Sequence, residues 1–98
     1  LWKLMTLNNL QTRTLPKLII CENDEETVYQ LRSEITTIGR SDDNNISLSD
    51  LSSSRRHCQI IRREKTWELV DLDSRNGTLV NGILVMQKKL FPGDVIEI

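Results

Sequence analysis

Three polar stretches of this 98-residue chain carry the side chains that could do chemistry. They are Gly39-Arg40, Ser54-Arg55-Arg56-His57, and the run Asp71 to Gly82, which holds Arg75 and two Asn-Gly pairs, Asn76-Gly77 and Asn81-Gly82. The planar fork of an arginine can give two charge-assisted hydrogen bonds to one anion. A serine hydroxyl adds a donor, and an asparagine amide both donates and accepts, so it can clamp a peptide main chain on either side of one residue. Asn-Gly is the strongest short-range signal for a tight hairpin turn, because both residues take positive φ at little cost. The polar side chains therefore belong on turns. Serine, histidine and aspartate together also raise the prospect of hydrolysis. That chemistry wants an oxyanion hole and a cleft, and no nucleophile-elbow glycine pattern surrounds Ser52, Ser53 or Ser54. A metal-binding carboxylate cluster and a phosphate-cradling glycine loop are both missing from the sequence, which argues against phosphotransfer.

The elements that must position these loops read as short strands. From Lys17 onward, β-favouring runs alternate with polar turns: 17–21, 27–31, 35–38, 45–48, 57–63, 67–72, 78–80, 83–85 and 94–98. Leu18 and Ile20 alternate with Lys17 and Ile19, Cys58 and Ile60 with Gln59, and Trp67 and Leu69 with Glu68, so each run offers an inward face at period two. Many short strands at close spacing predict an all-β sandwich or barrel. Residues 1–16 stand apart. Trp2, Leu4, Met5, Leu7 and Leu10 make a poor helical stripe broken by Asn8-Asn9, and Thr14-Leu15-Pro16 closes the segment; it reads as a linker or tail ahead of a single domain over 17–98. The acidic block Glu22 to Glu26 and the run Asp42-Asp43-Asn44-Asn45 read as turns, and Arg62-Arg63-Glu64-Lys65 as a hairpin tip.

These three ordered motifs are similar to those of the forkhead-associated (FHA) domain, a phosphothreonine-peptide reader, and the resemblance runs from about Lys17 to Ile98. It implies a twisted antiparallel β-sandwich with the peptide site on loops at one end. By resemblance Arg40 holds the phosphate, with Gly39 letting the backbone turn at the end of its strand. Ser54 gives its hydroxyl and backbone N–H, Arg55 adds a polar or basic contact, and His57 fixes the loop. Asn76 clamps the peptide backbone, Arg75 lies where it can reach the phosphate or the residues after it, and Asn81 is a further contact or a turn residue. Gly77 and Thr78 are structural. The position before Ser54, usually aliphatic in the family, is Ser53, which leaves the loop register open. Pro92 to Ile98 resembles the family's closing turn and penultimate strand, so the final strand is expected to be missing or its gap partly filled by residues 1–10. The chain starts at Leu1 and reads as an excised domain.

Composition agrees with a small binding module. The formal net charge of −1 and pI near 5.8 give no global pull toward nucleic acid or an anionic membrane, so any anion site is local. A single-strand nucleic-acid binder wants stacking aromatics in a basic groove, and only Trp2, Tyr29, Trp67 and Phe91 are aromatic. There is no run of about 18 apolar residues and no signal-peptide pattern. Cys21 and Cys58 fall in separate strand-like runs, as reduced packing residues, a disulfide pair or redox-active thiols. The expected function is thus non-enzymatic: a phosphothreonine-containing protein or peptide as partner, no cofactor, no metal, and a cytoplasmic or nuclear setting. The alternative is a phosphate-independent interaction or self-association domain on the same fold.

Overall fold

A computed structural model describes residues 4–8, 16–64 and 66–98. Eleven strands occur among them: β1 (Leu4–Asn8), β2 (Lys17–Glu22), β3 (Glu25–Gln30), β4 (Ile35–Gly39), β5 (Ile46–Ser47), β6 (Cys58–Arg62), β7 (Trp67–Asp71), β8 (Thr78–Val80), β9 (Ile83–Val85), β10 (Gln87–Leu90) and β11 (Val95–Glu97). They form two sheets, one of six strands in the order β3-β2-β1-β11-β8-β9 and one of five in the order β10-β7-β6-β4-β5. All pairings are antiparallel except the short β4–β5 contact, which is parallel. The chain is an all-β sandwich without helix among the described residues.

Period-two alternation sets the core. Leu18 and Ile20 from β2, Cys58 and Ile60 from β6, and Trp67 and Leu69 from β7 are buried, joined by Ile38, Val80, Leu90 and Ile96 from other strands. At roughly 1.5–3 kcal/mol for each fully buried large apolar side chain, this layer is the main favourable term of the fold. The turns follow their residues. Asn23 and Asp24 take φ of 53° and 62° between β2 and β3, and Asn81 and Gly82 take 51° and 80° between β8 and β9. Both connections are two-residue hairpins with positive φ at each central position, whose twist suits the flanking strands.

The structure differs from the sequence reading in three places. Leu4–Asn8, which the sequence reads within a linker or tail over 1–16 or as part of a segment filling the place of a final strand, is a strand inserted between β2 and β11, pairing Leu4 with both Cys21 and Glu97. It sits mid-sheet because, besides its sequence neighbour β2, it pairs with β11 from some ninety residues away, which no local pattern reveals. Gln87–Leu90 is also a strand, at the edge of the five-stranded sheet beside β7, where lysines are the usual protection of an open edge. Finally, Asn76-Gly77 is not a hairpin turn. Only Gly77 of that pair has positive φ, at 86°, because the chain there crosses from β7 in one sheet to β8 in the other.

Candidate functional site

The register of the five-stranded sheet brings the polar loops together. Ile38 pairs with Cys58, and Cys58 with Asp71, so the exit of β4, the entry of β6 and the exit of β7 share one end of the sheet. The loops leaving these points carry Arg40, Ser54-Arg55 and Arg75-Asn76. They line a cleft of about 430 Å³ together with Leu51, Ser52 and Ser53.

Each wall is fixed by the main chain. Arg40 N–H donates to the Ser54 carbonyl at 2.9 Å, and Ser41 N–H to the Arg55 carbonyl at 3.1 Å. Gly39 is needed for this approach: a Cβ there would lie 2.1 Å from the Arg55 carbonyl oxygen, so its role is the absence of a side chain and not a special turn. Arg40 Nε donates to the Ser53 carbonyl at 3.1 Å. Its two terminal nitrogens make no hydrogen bond among the described residues, so the fork is oriented while its free edge lines the cleft. Such preorganisation lowers the ordering cost of binding.

Ser54 is used on three sides. Its Oγ accepts from Arg75 N–H at 2.8 Å, which leaves the hydroxyl proton for an incoming acceptor. Its backbone N–H, however, donates to His57 Nδ1 at 3.1 Å. The expectation that this N–H meets the phosphate is therefore corrected: the imidazole has taken it. The N–H of Arg55, another residue of the cleft lining, donates to no group among the described residues. Asn76 Nδ2 donates to the Ser52 carbonyl at 2.7 Å, tying the third loop to the second; its second amide proton and its Oδ1 face no partner among the described residues.

Asn81 is not brought to this cleft. Its Nδ2 donates to Asp94 at 2.9 Å and its Oδ1 accepts from Val95 N–H at 2.9 Å, so both ends of the amide hold the β8–β9 turn to β11. Arg56 also turns away, paired with Asp43 at 2.7 Å. The exposed side chains of Arg55 and Arg75 have no polar partner among the described residues, and no carboxylate lines the cleft.

Residues 36–98 match the family model of the FHA domain. This chain belongs to that family. Among curated proteins it is 43% identical over 70 residues to the FHA domain-containing protein FhaA of Mycobacterium tuberculosis, covering 71% of the chain and 13% of FhaA. It is 40% identical over 70 residues to the oxoglutarate dehydrogenase inhibitor of Corynebacterium jeikeium, covering 71% of the chain and 49% of that protein. The chain thus spans half or less of the length of these relatives. Among solved structures, the FhaA FHA domain complexed with the intracellular domain of another protein superposes with a TM-score of 0.73 at 33% identity, covering 96% of this chain and 88% of that one. Mycobacterium tuberculosis EmbR in complex with a low-affinity phosphopeptide gives a TM-score of 0.77 at 30% identity, covering 84% of this chain and 22% of EmbR.

Behind the cleft, this FHA domain has a buried polar brace. His57 is 0% exposed. Its partners fix the tautomer, because the Ser54 N–H can only donate and the Gly77 carbonyl can only accept. Nδ1 is therefore the acceptor and Nε2–H donates to Gly77 at 2.8 Å. Asp71 and Ser74 complete the brace, and neither was singled out from the sequence. The Asp71 carboxylate accepts from the hydroxyls of Ser74 and Thr78, both at 2.6 Å, and from Ser74 N–H at 2.9 Å, while Ser74 Oγ accepts from Gly77 N–H at 3.0 Å. Ser or Thr at three and seven residues after an aspartate, spanning Asn-Gly, is the signal that could have pointed to it.

Burial pushes the Asp71 carboxyl up, but the hydrogen bonds from Ser74 and Thr78 outweigh it and hold the group below its ordinary value of 3.8. A carboxylate lowered in the folded state contributes stability above the unfolded value and loses it as pH falls through the folded one. Melting temperature should accordingly drop below about pH 4, and Asp71→Asn should flatten that part of the curve in thermal melts between pH 6 and pH 2. Asp94, lowered in the same direction against its burial by Phe91 N–H and Asn81, leaves a residual slope. The neighbouring Cys58 thiol is pushed far up by burial and by the Asp71 charge, and Cys21 and Cys58 are free thiols.

Proposed function

We propose that this FHA domain binds phosphothreonine-containing peptides or proteins without turnover, as one module of a signalling or scaffold protein. The observation that carries the reading is the convergence of Arg40, Ser54, Arg55, Arg75 and Asn76 on one cleft with no carboxylate in its lining. A phosphothreonine brings a charge of about −1.5 to −2 and three acceptor oxygens. The terminal nitrogens of Arg40, the Ser54 hydroxyl and the Arg55 N–H supply matching donors from three directions. Arg55 and Arg75 add positive charge at the rim, and Asn76 holds the peptide main chain through its remaining donor and acceptor. The phosphopeptide complex of EmbR and the names of relatives as regulators and inhibitors support a binding role over an enzymatic one, within a cell's interior.

The ligand should rank as phosphothreonine, then phosphoserine, then glutamate or plain threonine. Glutamate offers one charge and two coplanar oxygens, too few for donors arranged around a tetrahedral group. Phosphoserine loses one methyl, worth roughly 0.8 kcal/mol when buried. Raising salt should weaken the two phosphopeptides, since attraction at an exposed rim is screened within about 8–10 Å. Fluorescence polarisation with all four peptides at two salt concentrations tests this. Equal binding of plain threonine would overturn the reading in favour of a phosphate-independent interaction domain.

A further inference from the structure

We infer that the open edge of β3 pairs with β3 of a second copy of this chain, antiparallel and about a two-fold axis at Val28, so that two domains join into one continuous sheet. The inference stands on the sheet edges and is independent of the phosphopeptide reading.

Two sheets have four edges, formed by β3 and β9 in one and by β10 and β5 in the other. Three of them are poor templates for a further strand. β5 has two residues and β9 three, while β10 carries Lys88 and Lys89, the usual defence of an open edge. β3 differs from all of these. It runs for six residues, Glu25–Gln30, with no lysine, proline or positive φ to interrupt them. Its first four residues are exposed, Val28 at 59%.

The main chain of β3 is open on that side. Along an antiparallel strand, successive residues bond alternately toward one neighbour and toward the other. Leu31 N–H donates to the Pro16 carbonyl at 2.9 Å, so Tyr29, Thr27 and Glu25, at steps of two, also bond toward β2. Gln30, Val28 and Glu26 therefore direct their N–H and C=O groups away from β2, to the side where no described strand lies. Such a row of unpaired groups is a template for one more strand.

Charge and apolar surface along this edge are self-complementary, which selects a second copy as the occupant. A two-fold axis at Val28 sets outward residues against outward residues: Val28 faces its own counterpart, and Glu26 faces Gln30 of the other copy, twice. Gln30 Oε1 accepts from Arg32, which leaves the Gln30 amide protons for the opposing Glu26 carboxylate. The same register carries Arg32 of each copy to Asp24 of the other, so each basic end meets an acidic one. Ile19 of β2 lies opposite Val28, and pairing the valines runs one apolar row from Ile19 through the join to its counterpart. The clefts stay open. Glu22 accepts from Ser49 Oγ at 2.8 Å, two residues before Leu51 of the cleft lining, so the β2–β3 turn lies at the cleft end of the sandwich. Antiparallel pairing then points the two clefts in opposite directions.

Sedimentation equilibrium of the chain from about 1 μM to 1 mM tests the proposal, a range suited to a contact smaller than a standard interface. The wild type should shift from monomer toward dimer across it. Val28→Lys, which sets like charges against each other on the axis, should remain monomeric throughout. Glu26→Lys and Gln30→Glu should each weaken association, and the double variant should recover it, because each copy again opposes a cation to an anion. Within one copy the two positions are about 13 Å apart, so recovery cannot arise inside a monomer. A thermal melt at low concentration checks that every variant folds. A wild type that stays monomeric, or a dimer that survives Val28→Lys, overturns the proposal. Loss in the single variants without recovery in the double one overturns the Val28-centred register and with it the symmetric pairing.

Discussion

Arg40→Ala should weaken phosphothreonine-peptide binding by about 30- to 1,000-fold, or 2–4 kcal/mol, the range seen when a strong charged contact is truncated at an interface. The argument turns on how Arg40 is held. Nε is already engaged by the Ser53 carbonyl, so the fork meets the phosphate without first being ordered, and its loss removes both the charge and a prepositioned pair of donors. Stability should change little. The main-chain bonds from Arg40 to Ser54 and from Ser41 to Arg55 survive the substitution, and the side chain contributes one hydrogen bond to the folded state. Titration calorimetry paired with a thermal melt separates the two effects. Unchanged affinity in the variant would mean that the phosphate lies elsewhere.

His57→Ala should act on the other side of the balance, with a loss of folding stability of about 3–5 kcal/mol. The imidazole is fully buried and bridges two loops, accepting from Ser54 N–H and donating to the Gly77 carbonyl. Removing it leaves a cavity and two main-chain groups without partners, each costing about 1–3 kcal/mol when shut off from water. For a domain of this size the melting temperature should fall by roughly 15 °C or more. Peptide affinity should fall as well, since Ser54 would no longer be held where its hydroxyl faces the cleft. Chemical denaturation in urea measures the first effect, and a variant that unfolds at the wild-type midpoint would show that the bridge contributes nothing.

Much of the sandwich was legible because β2, β6 and β7 bury residues at period two. Leu18 and Ile20, Cys58 and Ile60, and Trp67 and Leu69 all lie in the core as their alternation requires. Gln87–Leu90 escaped because an edge strand has one covered side. Of its four residues only Leu90 is fully buried, and the lysines that protect the edge look like loop residues. In the site, the loop motifs named the residues that meet at the cleft: Arg40, Ser54, Arg55, Arg75 and Asn76. What they could not show is how donors are shared out. Ser54 N–H has two candidate acceptors, a ligand or the His57 ring, and only the folded distance of 3.1 Å decides between them. Asn81, which also precedes a glycine, reads from sequence as either a contact or a turn residue, and the structure makes it the latter. Its bonds to Asp94 and Val95 depend on a strand contact between residues far apart in sequence.

The place of β1 has a bearing on how the domain acquires its fold. Leu4 to Thr6 pair with Val95 to Glu97 on one side, and Leu4 to Asn8 pair with Lys17 to Cys21 on the other. The six-stranded sheet therefore joins its two halves, the early strands β3-β2-β1 and the late strands β11-β8-β9, through the β1–β11 pairing. Closing a loop of some ninety residues costs entropy before its contacts repay any of it, and a high share of such distant pairings slows folding. On a ribosome, β1 emerges some ninety residues before β11, its partner on one side. The β4 to β7 strands that carry the loops of the cleft pair over much shorter separations. The binding end of the sandwich can thus take shape while the opposite sheet is still open, and the pairing of β1 with β11 becomes the closing step of assembly.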